Sequence, residues 1–211
     1  MRRACAPGLS TSFRRAWLGA AAGFWAIASA ASAQEPPPPK FWFAGPYSFS
    51  DELGGFRITG AEGFGIKDEP VVLTQELQSA SPVTLVIRAV GPIRPFARPG
   101  SWANGILHLR LVVRNASGLG WVEFELELQE LLGEPSVFGD GLSFDQRQAD
   151  GENILSSNFA SYNRDFEPYD RLLFQEGKVD PLGTAEFGFL VTDFTPRRTF
   201  YLVLDPRIPS S

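Results

Sequence analysis

Beyond residue 46 the chain alternates apolar and polar positions in short runs, broken by Gly or Pro roughly every ten residues. The clearest run is "WVEFELELQE", residues 121–130. Val122, Phe124, Leu126 and Leu128 share one face; Trp121, Glu123, Glu125, Glu127 and Gln129 share the other. Period-two alternation in segments rich in Val, Ile, Leu, Phe and Thr predicts strands. Nine are expected, at 47–50, 55–59, 71–76, 83–90, 105–114, 121–131, 171–174, 185–192 and 199–204. No helical period extends far, and 154–164 is the one stretch suited to a turn or two of helix. The pattern predicts an all-β fold: an antiparallel two-sheet β-sandwich, immunoglobulin-like or jelly-roll-like, forming a single domain over 46–208.

In 105–114, Leu107, Leu109, Leu111 and Val113 face one way, and His108, Arg110, Val112 and Arg114 the other. Joined to 121–131 by a short polar turn, this strand is expected to form a hairpin with it. Parity then sets Leu111 against Phe124 and Leu109 against Leu126. Arg110 would oppose Glu125, His108 would oppose Glu127, and Arg114 would lie beside Trp121. Each buried Leu or Phe is worth ~1.5–3 kcal/mol, so the core sets the register. Each charge pair adds only ~0.2–1 kcal/mol. On this reading the glutamates keep an outer sheet face soluble and discourage edge pairing.

The first 33 residues change the compartment. Arg2, Arg3, Arg14 and Arg15 precede an apolar run over 16–28, and Ala31-Ser32-Ala33 forms a small-x-small cleavage site. Residues 1–33 are therefore expected to be a signal peptide, and the apolar run falls short of the ~20 residues that span a bilayer. Arg14-Arg15-Ala16-Trp17-Leu18 resembles the twin-arginine export motif, with Trp17 in place of Phe; ordinary Sec export is the simpler expectation. "EPPPPK" then begins a Pro-rich linker over 34–45. The mature chain is expected to be periplasmic or extracellular, with no integral membrane segment.

Cleavage would remove four of the 19 basic residues and none of the 24 acidic ones, leaving 15 against 24, a net charge of −9. That charge disfavours nucleic acid and anionic membrane surfaces. Cys5 lies within the signal, so the mature chain has no disulfide, thiolate metal site or Cys nucleophile.

His108 is the only histidine, and no G-x-S-x-G elbow accompanies it, so a surface histidine paired with a carboxylate is the plainer reading than a catalytic triad. One His and no Cys leave zinc without ligands. No cofactor is called for. Calcium is the metal best suited to the inventory, through Asp140, Asp145, Asp150 and Glu152 among glycines in "FGDGLSFDQRQADGEN", although Asp-Gly turns occur in any β protein. "GAEGFG", residues 60–65, is a flexible turn and not a phosphate-binding G-x-G-x-x-G.

Trp121, facing outward on its strand, with Tyr162 and Tyr169 near loops, could present aromatic rings to a sugar; Trp42 and Trp102 read as core or edge packing. "ASYNRDFEPYDR", residues 160–171, is either a recognition loop or a crossing between sheets pinned by Phe166 and Tyr169. The expected function is a non-catalytic binding or structural module with a protein or glycan partner. The alternatives are a carbohydrate-active hydrolase using two loop carboxylates and a calcium-stabilised adhesion or matrix protein.

"VVRNASGLGWVEFELEL" (112–128) and "DRLLFQEGKVDPLGTAEFGFLVTD" (170–193) resemble a pattern in exported bacterial β-sandwich proteins, PEP-CTERM-type secreted proteins among them. The shared features are an N-x-S/T-G turn, a Trp opening a strand and a G-x-V-x-P-x-G turn. "FSDELGGFRITG" and "PVTLVIRAVG" are similar to segments of uncharacterised exported proteobacterial proteins. The C-terminal Pro-Glu-Pro sorting signal is missing here. The resemblance implies a fold and a compartment, and no activity.

Overall fold

The computed structural model describes residues 40–147 and 151–209. The described residues form β1 (Phe41–Ala44), β2 (Tyr47–Ser50), β3 (Phe56–Glu62), β4 (Val71–Leu77), β5 (Val83–Ala89), β6 (Ile106–Asn115) and β7 (Glu123–Gln129). They continue with β8 (Leu142–Phe144), β9 (Leu155–Ser156), β10 (Phe159–Asn163), β11 (Arg171–Gly177), β12 (Thr184–Asp193) and β13 (Thr199–Arg207). One sheet runs β1-β2-β5-β13-β7-β11-β10; the other runs β3-β4-β6-β12-β8, with β9 also on β12. The fold is the β-sandwich that the alternation predicts. Among the described residues, no helix is long and apolar enough to cross a membrane.

All nine expected strands are present, and the structure adds β1, β8, β9 and β10. The additions have two to five residues each, too short for a period of two to stand out, and are recruited by pairing with β2, β12 and β11. Residues 154–164 form β9 and β10 rather than a helix, because Phe159 inserts between the sheets beside Phe174 and Phe187. The linker is shorter than expected: Phe41 already pairs with Ser50. The sandwich is not wholly antiparallel either, since β4 and β6 run parallel.

The expected hairpin does not form. β6 pairs with β12 and β4 in one sheet, and β7 with β13 and β11 in the other. Leu111 lies beside Phe187 and Leu109 beside Phe189. Asn115, fully buried, makes the connection a crossing between sheets. Its amide donates to the Leu119 carbonyl at 2.7 Å and to the Val179 carbonyl at 3.1 Å, tying it to the chain that follows β11. Facing the core is a demand that two strands meet equally well across the interior as side by side.

Glu125 and Glu127 therefore meet different cations from those expected. On the outer face of their sheet, Arg207 of β13 bonds Glu125 and Arg171 of β11 bonds Glu127. Gln129 donates to Glu127 at 2.7 Å, and Gln175 to Glu123 at 3.0 Å. This cover leaves Glu125 and Glu127 only 6% and 8% exposed, more buried than glutamates that keep an outer sheet face soluble would be. Burial pushes the Glu125 carboxyl up, against the opposing pull of Arg207 and Arg171.

Candidate functional site

At one pole of the sandwich, beside the outermost strands β1 and β3, lies a cleft of about 880 Å³. Small-molecule sites occupy ~300–1,000 Å³. Four segments distant in sequence line it: Phe43 to Pro46, Glu62 to Glu69, Pro99 to Asn104, and the start of β6 with Ile106 and His108.

Local chemistry shapes each wall. Gly45 turns the chain from β1 to β2 at φ +52°, and a Cβ there would meet the Phe64 carbonyl oxygen at 2.5 Å. The turn can seat against the next wall only because that side chain is missing. In the second wall, the Glu69 carbonyl accepts from the amides of Phe64, Gly65 and Ile66 at 2.9–3.2 Å. Gly65 in turn accepts from the His108 amide at 2.9 Å, which docks the loop on β6. In the third, the Trp102 indole donates to the Arg98 carbonyl at 3.0 Å, and the Arg94 guanidinium sits 4.6 Å from the ring centre. The Asn104 side chain donates to the Ala97 carbonyl at 3.0 Å and accepts from the Ile106 amide at 3.1 Å.

Phe43, Phe64 and Ile106 are 63%, 62% and 45% exposed along this cleft. His108, half-buried, supplies an imidazole whose pKa lies below the ordinary 6.5. Burial is the main cause; the Lys67 ammonium adds to it, and Asp145 and Asp68 oppose it more weakly. Burial thus favours the neutral imidazole, which can both donate and accept.

The expected sugar-binding and calcium-binding residues lie outside this cleft. Trp121 is fully buried, the reverse of the expected outward ring. It precedes β7, bridges to Val179, donates its indole N–H to Ser117 at 3.2 Å and lies 5.6 Å from Phe124. Tyr162 packs on the core with its ring 6.3 Å from Phe174. Tyr169 is exposed in the loop before β11, its ring 5.2 Å from the Arg171 guanidinium. The three do not form one aromatic platform.

Asp140 caps its own loop, accepting from Ser136, the Val137 amide and the Leu142 amide at 2.8–3.0 Å. Asp145, buried at the other end of β8, accepts from Asn153 at 3.1 Å. Glu152 is exposed, and Asp150 lies outside the described residues. Among the described residues no three His, Cys, Asp or Glu side chains gather as a metal site.

Nothing in the alternation marks Phe43, Phe64, Lys67 and Ile106 as one group. One local signal was available: Gly63-Phe64-Gly65 sets a large apolar ring in a turn, where no strand can bury it. No protein-family model, curated protein or solved structure shows detectable similarity to this chain.

Proposed function

We propose that the protein is an exported, non-catalytic binding module, working in the periplasm or outside the cell, whose ligand occupies the cleft beside β1 and β3. The observation that carries this reading is the open cleft of about 880 Å³ with Phe43, Phe64 and Ile106 facing solvent. Exposed hydrocarbon forgoes ~25 cal/mol for each Å² that a ligand could cover, so rings gathered around one concavity favour occupancy. The signal-like residues 1–33 and the resemblance to exported bacterial sandwiches support the compartment.

The hydrolase reading keeps one foothold, because Glu62 at the end of β3 and Glu69 in the loop that follows are two carboxylates lining the same cleft. A calcium-stabilised adhesion protein has less support, since Asp140 and Asp145 already serve their own loops.

Thermal-shift screening of glycans, peptides and amphiphiles, repeated on Phe64→Ser, tests the binding module. A compound that raises the melting temperature of the parent and not of the variant is the expected result. Hits that stabilise both equally would remove the cleft from consideration. Turnover of aryl glycosides abolished by Glu62→Gln would replace binding with catalysis.

A further inference from the structure

We infer that the cleft takes an amphiphilic carboxylate, its acyl or aryl part against Phe43, Phe64 and Ile106 and its anionic head at Lys67. This rests on the cleft being a ligand site and adds the chemistry of its occupant.

Phe43, Phe64 and Ile106 carry no polar atom, and all three remain substantially exposed. A sugar ring needs a fence of free donors and acceptors as well as a flat apolar face. Here the amide of Asn104 and the indole N–H of Trp102 are already engaged with backbone groups of their own loop. Lys67 is different. No described carboxylate forms an ion pair with it.

Lys67 and His108 line the same cleft, and the ammonium acts on that imidazole together with the opposing charges of Asp145 and Asp68. Lys67 is the one Lys or Arg side chain among the described residues that line the cleft, and Glu62 and Glu69 are exposed residues of its rim. A carboxylate head at Lys67 would find a cation that no described carboxylate pairs, beside a hydrogen-bonding ring and at the edge of a hydrocarbon surface.

Because His108 is the single histidine, its ring C–H proton is a self-assigned probe of the site in the full chain. Sodium decanoate, decanol, decyltrimethylammonium and cellohexaose would each be titrated, the amphiphiles below micelle-forming concentration. Decanoate should shift the His108 resonance saturably and raise its pKa by about half a pH unit or more, by offsetting Lys67. Lys67→Met should weaken decanoate at least fivefold and leave decanol unchanged, whereas Phe64→Ser should weaken both. Both residues are exposed, so unchanged urea midpoints would show that the variants fold.

Equal affinity for decanoate and decanol, or a preference for the cationic amphiphile, would overturn the head-group assignment and leave the cleft as a binding site. Cellohexaose binding without decanoate binding would overturn it in favour of a glycan. If no probe moves His108, the assignment and the cleft reading fall together.

Discussion

The rings of Phe124 on β7 and Phe187 on β12 stack across the interior, with centroids 4.4 Å apart and planes inclined by 27°. Phe187 also lies 4.9 Å from Phe174 and 5.9 Å from Phe159, so one side chain of the six-stranded sheet meets three strands of the other. This contact joins the two layers. It also shows why β7 sits opposite the sheet that holds β6 rather than beside β6.

Phe187→Ala should lower the unfolding free energy by about 3–5 kcal/mol, measured by urea denaturation. Phe64→Ala, on an exposed ring, should stay within ~0.5 kcal/mol. Similar losses for the two would show that the stack is not the centre of the core.

Gln75 lies on the inner face of β4 with Val71, Leu73 and Leu77, and all four are fully buried. Neither amide atom of Gln75 finds a hydrogen-bond partner among the described residues. A buried, unsatisfied polar group is worth ~1–3 kcal/mol against the fold, and methionine has nearly the same volume. Gln75→Met should therefore raise the urea midpoint, with an unchanged slope, by that order of free energy. A lower midpoint would show that the amide has a partner it needs.

Glu125 gives a pH dependence of defined sign. Burial raises its folded pKa above the ordinary 4.5, so the folded state holds the proton more tightly than the unfolded chain. Its contribution is fully present below 4.5 and is lost as pH rises through the folded value. The stability of the parent relative to Glu125→Gln should thus fall from pH 4 towards neutrality and then level off. A difference that grows with pH would mean that Arg207 and Arg171 outweigh burial.

His108 titrates the other way. Its folded pKa is depressed below 6.5, so on acidification the unfolded chain takes up the proton first. Stability from this group is present above 6.5 and is lost as pH falls through the folded value; His108→Gln should flatten that limb of the profile. By proton NMR, Lys67→Met should raise the His108 pKa and Asp145→Asn should lower it further. No movement on losing Lys67 would detach that lysine from the site.

The strands were legible because alternation is local: a strand with one face on a core must place its apolar side chains at every second residue, whatever it pairs with. Nine strands, the sandwich class and the inward faces of β6 and β7 follow from that alone. Pairing is not local. Parity is satisfied by a neighbour in the same sheet or by a strand across the core, and the hydrogen bonds of Asn115 to the chain around Val179 chose the second. The short turn between β6 and β7 carries no mark of that choice.

Trp121 continues the alternation of β7 in one dimension, yet it stands before the strand begins, in a bridge to Val179 that turns its ring inward. The cleft depended on tertiary structure throughout. Phe43, Phe64, Trp102 and His108 lie on four segments that only the stacking of β1, β3 and β6 at one pole brings together. Periodicity along a chain records which side of a strand is wet or dry; it does not record which loops share an end of the sandwich, and there Phe43 and Phe64 meet.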